Sequence, residues 1–293
     1  MLKTLRNSIL NEKEAIRIPK SVQASIPIEK IYDDGIWKVN NNYSRTWLFT
    51  DINFAVASED DKRAILLQYC SFLNSLPTDA TIKITINNRK LNLKEFRHKL
   101  MLTSKKDNLD DYRAEYNRML QEKAAATQNM TQEKYITVAI NKKTIEEARA
   151  AFIRIEADLI SNLSRLSSNV TAMGNIERLK LLHDFFRPND EPDINIDLKQ
   201  IMRHGHNFKD YICSDSIMFK SDYFEIDEKV GRVLFMKEYA TFIDDGMIAK
   251  LTDISKNMML SIDILPIPTD KALKEIQNKM LAVETDVTRW QRK

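Results

Sequence analysis

Glycine is scarce in this chain: five residues in 293, where average usage near ~7% would give roughly twenty. Gly35, Gly174, Gly205, Gly231 and Gly246 are not spaced as G-x-G-x-x-G, G-x-S-x-G or G-x-x-x-x-G-K-[ST] require. Glycine-loop phosphate cradles and nucleophile elbows are therefore excluded. Cysteine is nearly absent too: Cys70 and Cys213 are too few for a disulfide framework or a Cys-rich zinc site, and a reducing compartment fits. No apolar run approaches the length of a bilayer span, and Met1-Leu2-Lys3-Thr4-Leu5-Arg6 leads into no apolar core, so neither a spanning helix nor a signal peptide is expected.

Histidine numbers only four. His183 stands beside Asp184 on a helical stretch, where sequence neighbours point apart, which makes a poor catalytic pair. His204-Gly205-His206, with Cys213 and Asp215 downstream, matches no zinc spacing and reads as a turn with surface histidines; a metal hydrolase built on His204 and His206 is the remaining alternative. Paired carboxylates such as Glu146-Glu147 and Asp244-Asp245 sit where helix starts favour negative charge, which explains them without catalysis.

What the chain does have is a foldable balance of 43% hydrophobic and 30% charged residues. Its length suits two modules, or one large module with insertions. The net charge of +3 is unevenly spread. Between Lys83 and Lys106 eight Lys or Arg face the single Glu95, whereas Asp184 to Asp197 and Asp215 to Glu228 are acidic. The basic run reads as a solvated face and loop; the functional alternative is contact with a DNA backbone or an anionic membrane surface through Lys83, Arg89, Lys90, Lys94, Arg97 and Lys99.

Along the chain, residues 1–35 mix charge with Ile16, Ile18, Val22, Ile26, Ile28 and Ile31, which predicts an arm docked on something else. Tyr43 to Phe49 alternates as a strand, and Ser58 with three following acids opens a helix that Pro77 stops. Ile82, Ile84 and Ile86 mark the clearest half-buried strand. An exposed insertion with at least one helix is expected at about 88–132. Ile136, Val138 and Ile140 mark another strand. Thr144-Ile145-Glu146-Glu147 forms a capping box, opening a helix with Phe152, Ile155, Leu159 and Leu163 on one stripe.

After a linker at 187–194 the theme is expected to repeat: a strand at Val233–Tyr239, a helix at Asp244–Lys256, a strand through Leu260, Ile262 and Ile264, and a last helix from Thr269. The aromatics of this half, Phe219, Tyr223, Phe224 and Phe235 among them, have acidic neighbours, which argues for packing rather than stacking on single-stranded nucleic acid. The expected fold is α+β, two split-βαβ-like halves with an exposed helical insertion and a long C-terminal helix. Its expected divisions are the arm at 1–35, a first unit at 36–190 and a second at 191–293. In the last helix Leu273, Ile276, Met280, Val283, Val287 and Trp290 step by threes and fours, the spacing of a packed seam and a candidate interface. That helix reaches Gln291-Arg292-Lys293 without a Gly or Pro stop, which suggests a connection onward.

Several phrases carry a resemblance: Met1 to Lys38, Phe49 to Arg63 (FTDINFAVASEDDKR), Leu76 to Arg89 (LPTDATIKITINNR), Gly205 to Ser216 (GHNFKDYICSDS), Gly231 to Ala240 (GRVLFMKEYA), Asn257 to Asp270 (NMMLSIDILPIPTD) and Val283 to Lys293 (VETDVTRWQRK). Together they resemble the N-terminal region of VirB-type conjugative-transfer ATPases carried by integrative elements of Gram-positive bacteria. In that family this region precedes a RecA-like motor holding Walker A and Walker B, and the motor energises a type IV secretion machine that exports DNA. The resemblance implies a non-catalytic docking and assembly module with no cofactor of its own, ATP and Mg belonging to the motor. The implied partners are that motor domain, sister subunits and inner-membrane components of the channel. The implied location is cytoplasmic, peripheral at the inner face of the membrane. A nucleic-acid-binding module using the basic 83–106 segment is the alternative.

Overall fold

The computed structural model describes residues 19–52, 54, 56–90, 101–126, 130–187, 207–238, 242 and 246–291. In chain order the elements are a single turn α1 (Val22–Ser25), strands β1 (Ile28–Ile31), β2 (Trp37–Val39) and β3 (Asn42–Phe49), and helix α2 (Glu59–Ser75). β4 (Ala80–Lys90), α3 (Asp110–Ala126), β5 (Met130–Ile140), α4 (Ile145–Arg165), β6 (Val170–Ala172) and α5 (Asn175–Phe186) follow. A short 3-10 turn (Phe208–Tyr211) leads to β7 (Ile217–Phe219), β8 (Phe224–Ile226) and β9 (Lys229–Gly231), then α6 (Gly246–Thr252), β10 (Met258–Ile264) and α7 (Thr269–Gln291).

Helix starts follow the caps read from sequence. The Ser58 hydroxyl accepts the Asp61 N–H at 3.2 Å and the Thr144 hydroxyl accepts the Glu147 N–H at 3.3 Å. Gly35 turns the chain between β1 and β2 at φ +80°, a conformation that side chains resist.

The fold is α+β. Two compact units divide the chain, one of residues 28–196 with 238–293, the other of 1–27 with 197–237. In the larger unit a seven-stranded sheet runs in the order β1-β2-β3-β5-β4-β10, with β6 also on β3, every described pair antiparallel. β3 and β4, joined through α2, lie on either side of β5, while β5 and β6, joined through α4, lie on either side of β3. These two interleaved split β-α-β units are the ferredoxin-like arrangement. Its helical face holds the core: Trp47, Phe72, Ile82, Ile136, Val138, Phe152 and Leu159 are each at most 2% exposed. α5 covers the other face, where Ser44, Thr46, Thr85, Asn87 and Tyr135 are buried.

Four features differ from the sequence reading. The strand expected within the second unit, β10, instead extends the sheet of the first, with Leu260, Ile262 and Ile264 opposite Ile86, Ile84 and Ile82. A single alternating strand cannot cover its own apolar side, so it continues the row that β4 already presents. Ile28–Ile31 joins the same sheet as β1, so the arm expected over 1–35 is not separate there. The insertion is narrower than expected, because residues 88–90 pair with 130–132 as the ends of β4 and β5. Finally, Val233 to Lys237 forms no strand: Val233 to Met236 is a run of apolar residues without the alternation that lets one side be buried. Tyr239 lies outside the described residues.

The smaller unit is built on the meander β7-β8-β9. Phe224 lies over Gly231 on the neighbouring strand, where any Cβ would collide with the ring. The Lys209 ammonium donates to the carbonyls of Gln23 at 3.3 Å and Ile26 at 2.8 Å, tying residues before β1 to the 3-10 turn.

Candidate functional site

Of the six basic residues singled out as polyanion contacts, Lys83 and Arg89 have side chains among the described residues. Lys83 and Arg89 lie on one face of β4, six residues apart, about 20 Å along the strand. Lys83 faces Asp263 of β10 at 3.5 Å. Arg89 clamps Glu133 through Nε at 2.9 Å and Nη2 at 3.0 Å, and its Nε lies 3.9 Å from Asp184 of α5. A phosphate would have to displace a carboxylate at both positions. Lys90 ends β4, and its side chain, with Lys94, Arg97 and Lys99, lies outside the described residues.

Around Arg89 a polar network sits between the sheet and α5. The Tyr135 hydroxyl donates to Glu133 at 2.6 Å, and burial first, then the Glu133 charge, pushes the phenol well above its ordinary range. His183 is buried, its Nδ1 without a hydrogen-bond partner and 3.8 Å from an Asp184 oxygen. The pair read from sequence is thus close but not hydrogen-bonded. Among the described residues no group of three or more His, Cys, Asp or Glu is placed to hold a metal ion. His204 and His206 lie outside them; Cys213 is buried and Asp215 exposed.

The sequence reading missed Arg178, only 8% exposed on α5. Its Nη1 donates to the Gly35 carbonyl at 3.2 Å and the Ser44 carbonyl at 3.1 Å, and its Nη2 to the Ser44 hydroxyl at 3.2 Å. The guanidinium stacks on Trp37, 4.1 Å from the ring centroid. Among the described residues no carboxylate pairs with it, and burial pushes the guanidinium down to about 9. It fastens α5 to the β1–β2 turn and to β3 through two backbone carbonyls and a hydroxyl, a structural task that leaves no trace in local sequence.

The candidate interface is the feature left open. On α7, Leu273 and Ile276 are 54% exposed, Met280 59% and Val283 63%. Four large apolar side chains on one stripe are thus in water along the described part of the helix. Val287 and Trp290 continue its backbone; their side chains lie outside the described residues. No helix among the described residues is long and apolar enough to cross a membrane.

No protein-family model matches the chain, and no curated protein matches it.

Proposed function

We propose that this chain is a non-catalytic docking and assembly domain of a conjugative type IV secretion ATPase, with ATP and Mg handled by the motor domain of the parent protein. Its partners in this reading are that motor, sister subunits and inner-membrane components of the channel, at the cytoplasmic face of the membrane. The observation that carries the reading is the uncovered stripe of α7. Fully burying each such side chain is worth ~1.5–3 kcal/mol, so a partner covering Leu273, Ile276, Met280 and Val283 gains most of its affinity from this one helix. The phrase resemblance supplies the identity of that partner. The two described cations of the basic strand, Lys83 and Arg89, already face carboxylates, which favours the docking reading over the nucleic-acid one.

The test is genetic. Ile276→Asp together with Met280→Asp, carried by the parent transfer ATPase, is expected to lower conjugation frequency by about tenfold or more at unchanged protein level. Transfer at the wild-type frequency overturns the proposal.

A further inference from the structure

The meander of the smaller unit is polarised end to end. At one end, residues Ile217, Ile226 and Lys229 form a cross-strand row, closed by Asp227, whose N–H donates to the Ser216 carbonyl at 3.0 Å and whose carboxylate accepts the Ser216 N–H at 2.8 Å. Asp215, Asp227 and Glu228 make that end acidic. At the other end the row is Phe219, Phe224 and Gly231. From it project Phe219, 71% exposed, and the segment after β9, with Val233 78%, Leu234 84%, Phe235 85% and Met236 65% exposed. Tyr223 stands in the β7–β8 turn at the same end, 40% exposed.

Cations frame this apolar end. Arg232 and Lys237 bracket the four apolar residues directly, and Lys220 sits in the adjoining turn, all three exposed; Asp222 in that turn and Glu238, directly after Lys237, are the acids beside them, leaving the cations in excess. Arg232 donates through Nε to the Asp222 carbonyl at 3.3 Å, which holds the start of the segment against the turn.

We propose that this tip, Phe219, Tyr223 and Val233–Met236 with Lys220, Arg232 and Lys237, is a membrane-docking device whose occupant is the headgroup region of an anionic bilayer. A protein partner pairing with an extended segment would use one side of an alternating strand. Here four consecutive side chains of an irregular segment are exposed without a polar side between them, which suits a soft medium that closes around a tip. Aromatic and aliphatic groups enter the acyl boundary while the irregular backbone stays within the hydrated interface. The framing cations lie where lipid phosphates would be, and the acidic end is held a strand-length away from the negative surface. The inference deepens the peripheral-membrane part of the function proposed above, and rests on it only for placing a bilayer near this chain.

The test is co-sedimentation of the whole chain with vesicles of phosphatidylcholine alone and of phosphatidylglycerol in phosphatidylcholine. The wild type is expected to bind the anionic vesicles more tightly, and less so as salt rises. Leu234→Asp with Phe235→Asp should weaken binding about tenfold or more, and Arg232→Glu or Lys237→Glu should each cost about fivefold or more on anionic vesicles only. All these positions are exposed, so circular dichroism should be unchanged. The α7 variant Ile276→Asp, Met280→Asp should bind vesicles like the wild type, which separates failure of this inference from failure of the assembly reading. The inference is overturned if the wild type ignores anionic vesicles at low salt, or if the loop variants bind equally well. It is also overturned if those variants change association of the protein in the absence of lipid, which would make the tip a protein contact.

Discussion

Replacing Arg178 by alanine probes the joint between α5 and the sheet. The side chain makes three hydrogen bonds to Gly35 and Ser44 and a stack on Trp37. Bonds from a charged donor contribute ~1.5–3 kcal/mol each, and a cation over an aromatic ring ~0.5–2. Against this stands the desolvation of a cation buried without a carboxylate, several kcal/mol. The difference leaves a net loss of about 2–4 kcal/mol for Arg178→Ala, because the acceptors on Gly35 and Ser44 stay buried after the donor is gone. Arg178→Lys keeps a charge but loses the planar fork and the stack, and should fall between alanine and wild type. Urea unfolding followed by tryptophan fluorescence reads both, since Trp37 lies against the guanidinium. A midpoint shift with unchanged slope is the expected signature. A change under ~0.5 kcal/mol for the alanine variant would refute the claim that this buried cation fastens the helix, because surface substitutions fall in that range.

Tyr135 gives a pH signature: its folded-state phenol is raised by burial and by Glu133, so the unfolded state loses its proton first. Stability should therefore be intact below the ordinary tyrosine range near ~10 and fall as pH rises through it, and a denaturation series should show a smaller fall for Tyr135→Phe. In the insertion, the Lys105 and Lys106 N–H groups donate to Asp110 at 3.1 and 2.8 Å, and that of Lys106 also to the Ser104 hydroxyl at 3.4 Å, all on an exposed segment; hydrogen exchange should find them far less protected than Ile136 to Ile140 of the central β5, and equal protection would contradict an exposed excursion. Any DNA affinity should be independent of sequence and collapse between low and ~0.2 M salt. Arg89→Ala should lower stability, through loss of the Glu133 clamp, more than it lowers retention on DNA.

The strand alternation at Ile82–Ile86, Ile136–Ile140 and Leu260–Ile264 was legible because period two needs no knowledge of the partner. Which strand pairs with which was not: β10 carries the same alternation whether it founds a sheet or extends one, and the choice is made by an apolar row on β4 that is far away in sequence. Val233–Met236 misled for the opposite reason, since hydrophobicity without alternation is shared by a buried strand and an exposed tip. Arg178 was invisible because its partners are 134 and 143 residues away, and a single arginine on a helix resembles any solvated one. The stripe of α7 was readable from its threes and fours; that this chain leaves it uncovered was not, because spacing reports a face and not what lies against it. Lys83 and Arg89 were picked out by a charge run that takes no account of Asp263 and Glu133 on neighbouring strands.

The sister-subunit contact of the assembly reading turns on whether the α7 stripe joins copies of this chain while contributing nothing to the fold. Sedimentation velocity over a concentration series, on the wild type and on Ile276→Asp, Met280→Asp, measures this directly, with thermal unfolding in parallel. The expected result is a wild type whose mean sedimentation coefficient climbs with concentration, and a variant that stays monomeric with the same melting temperature. A wild type that is monomeric throughout, or a variant that associates equally or melts well below the wild type, would contradict it.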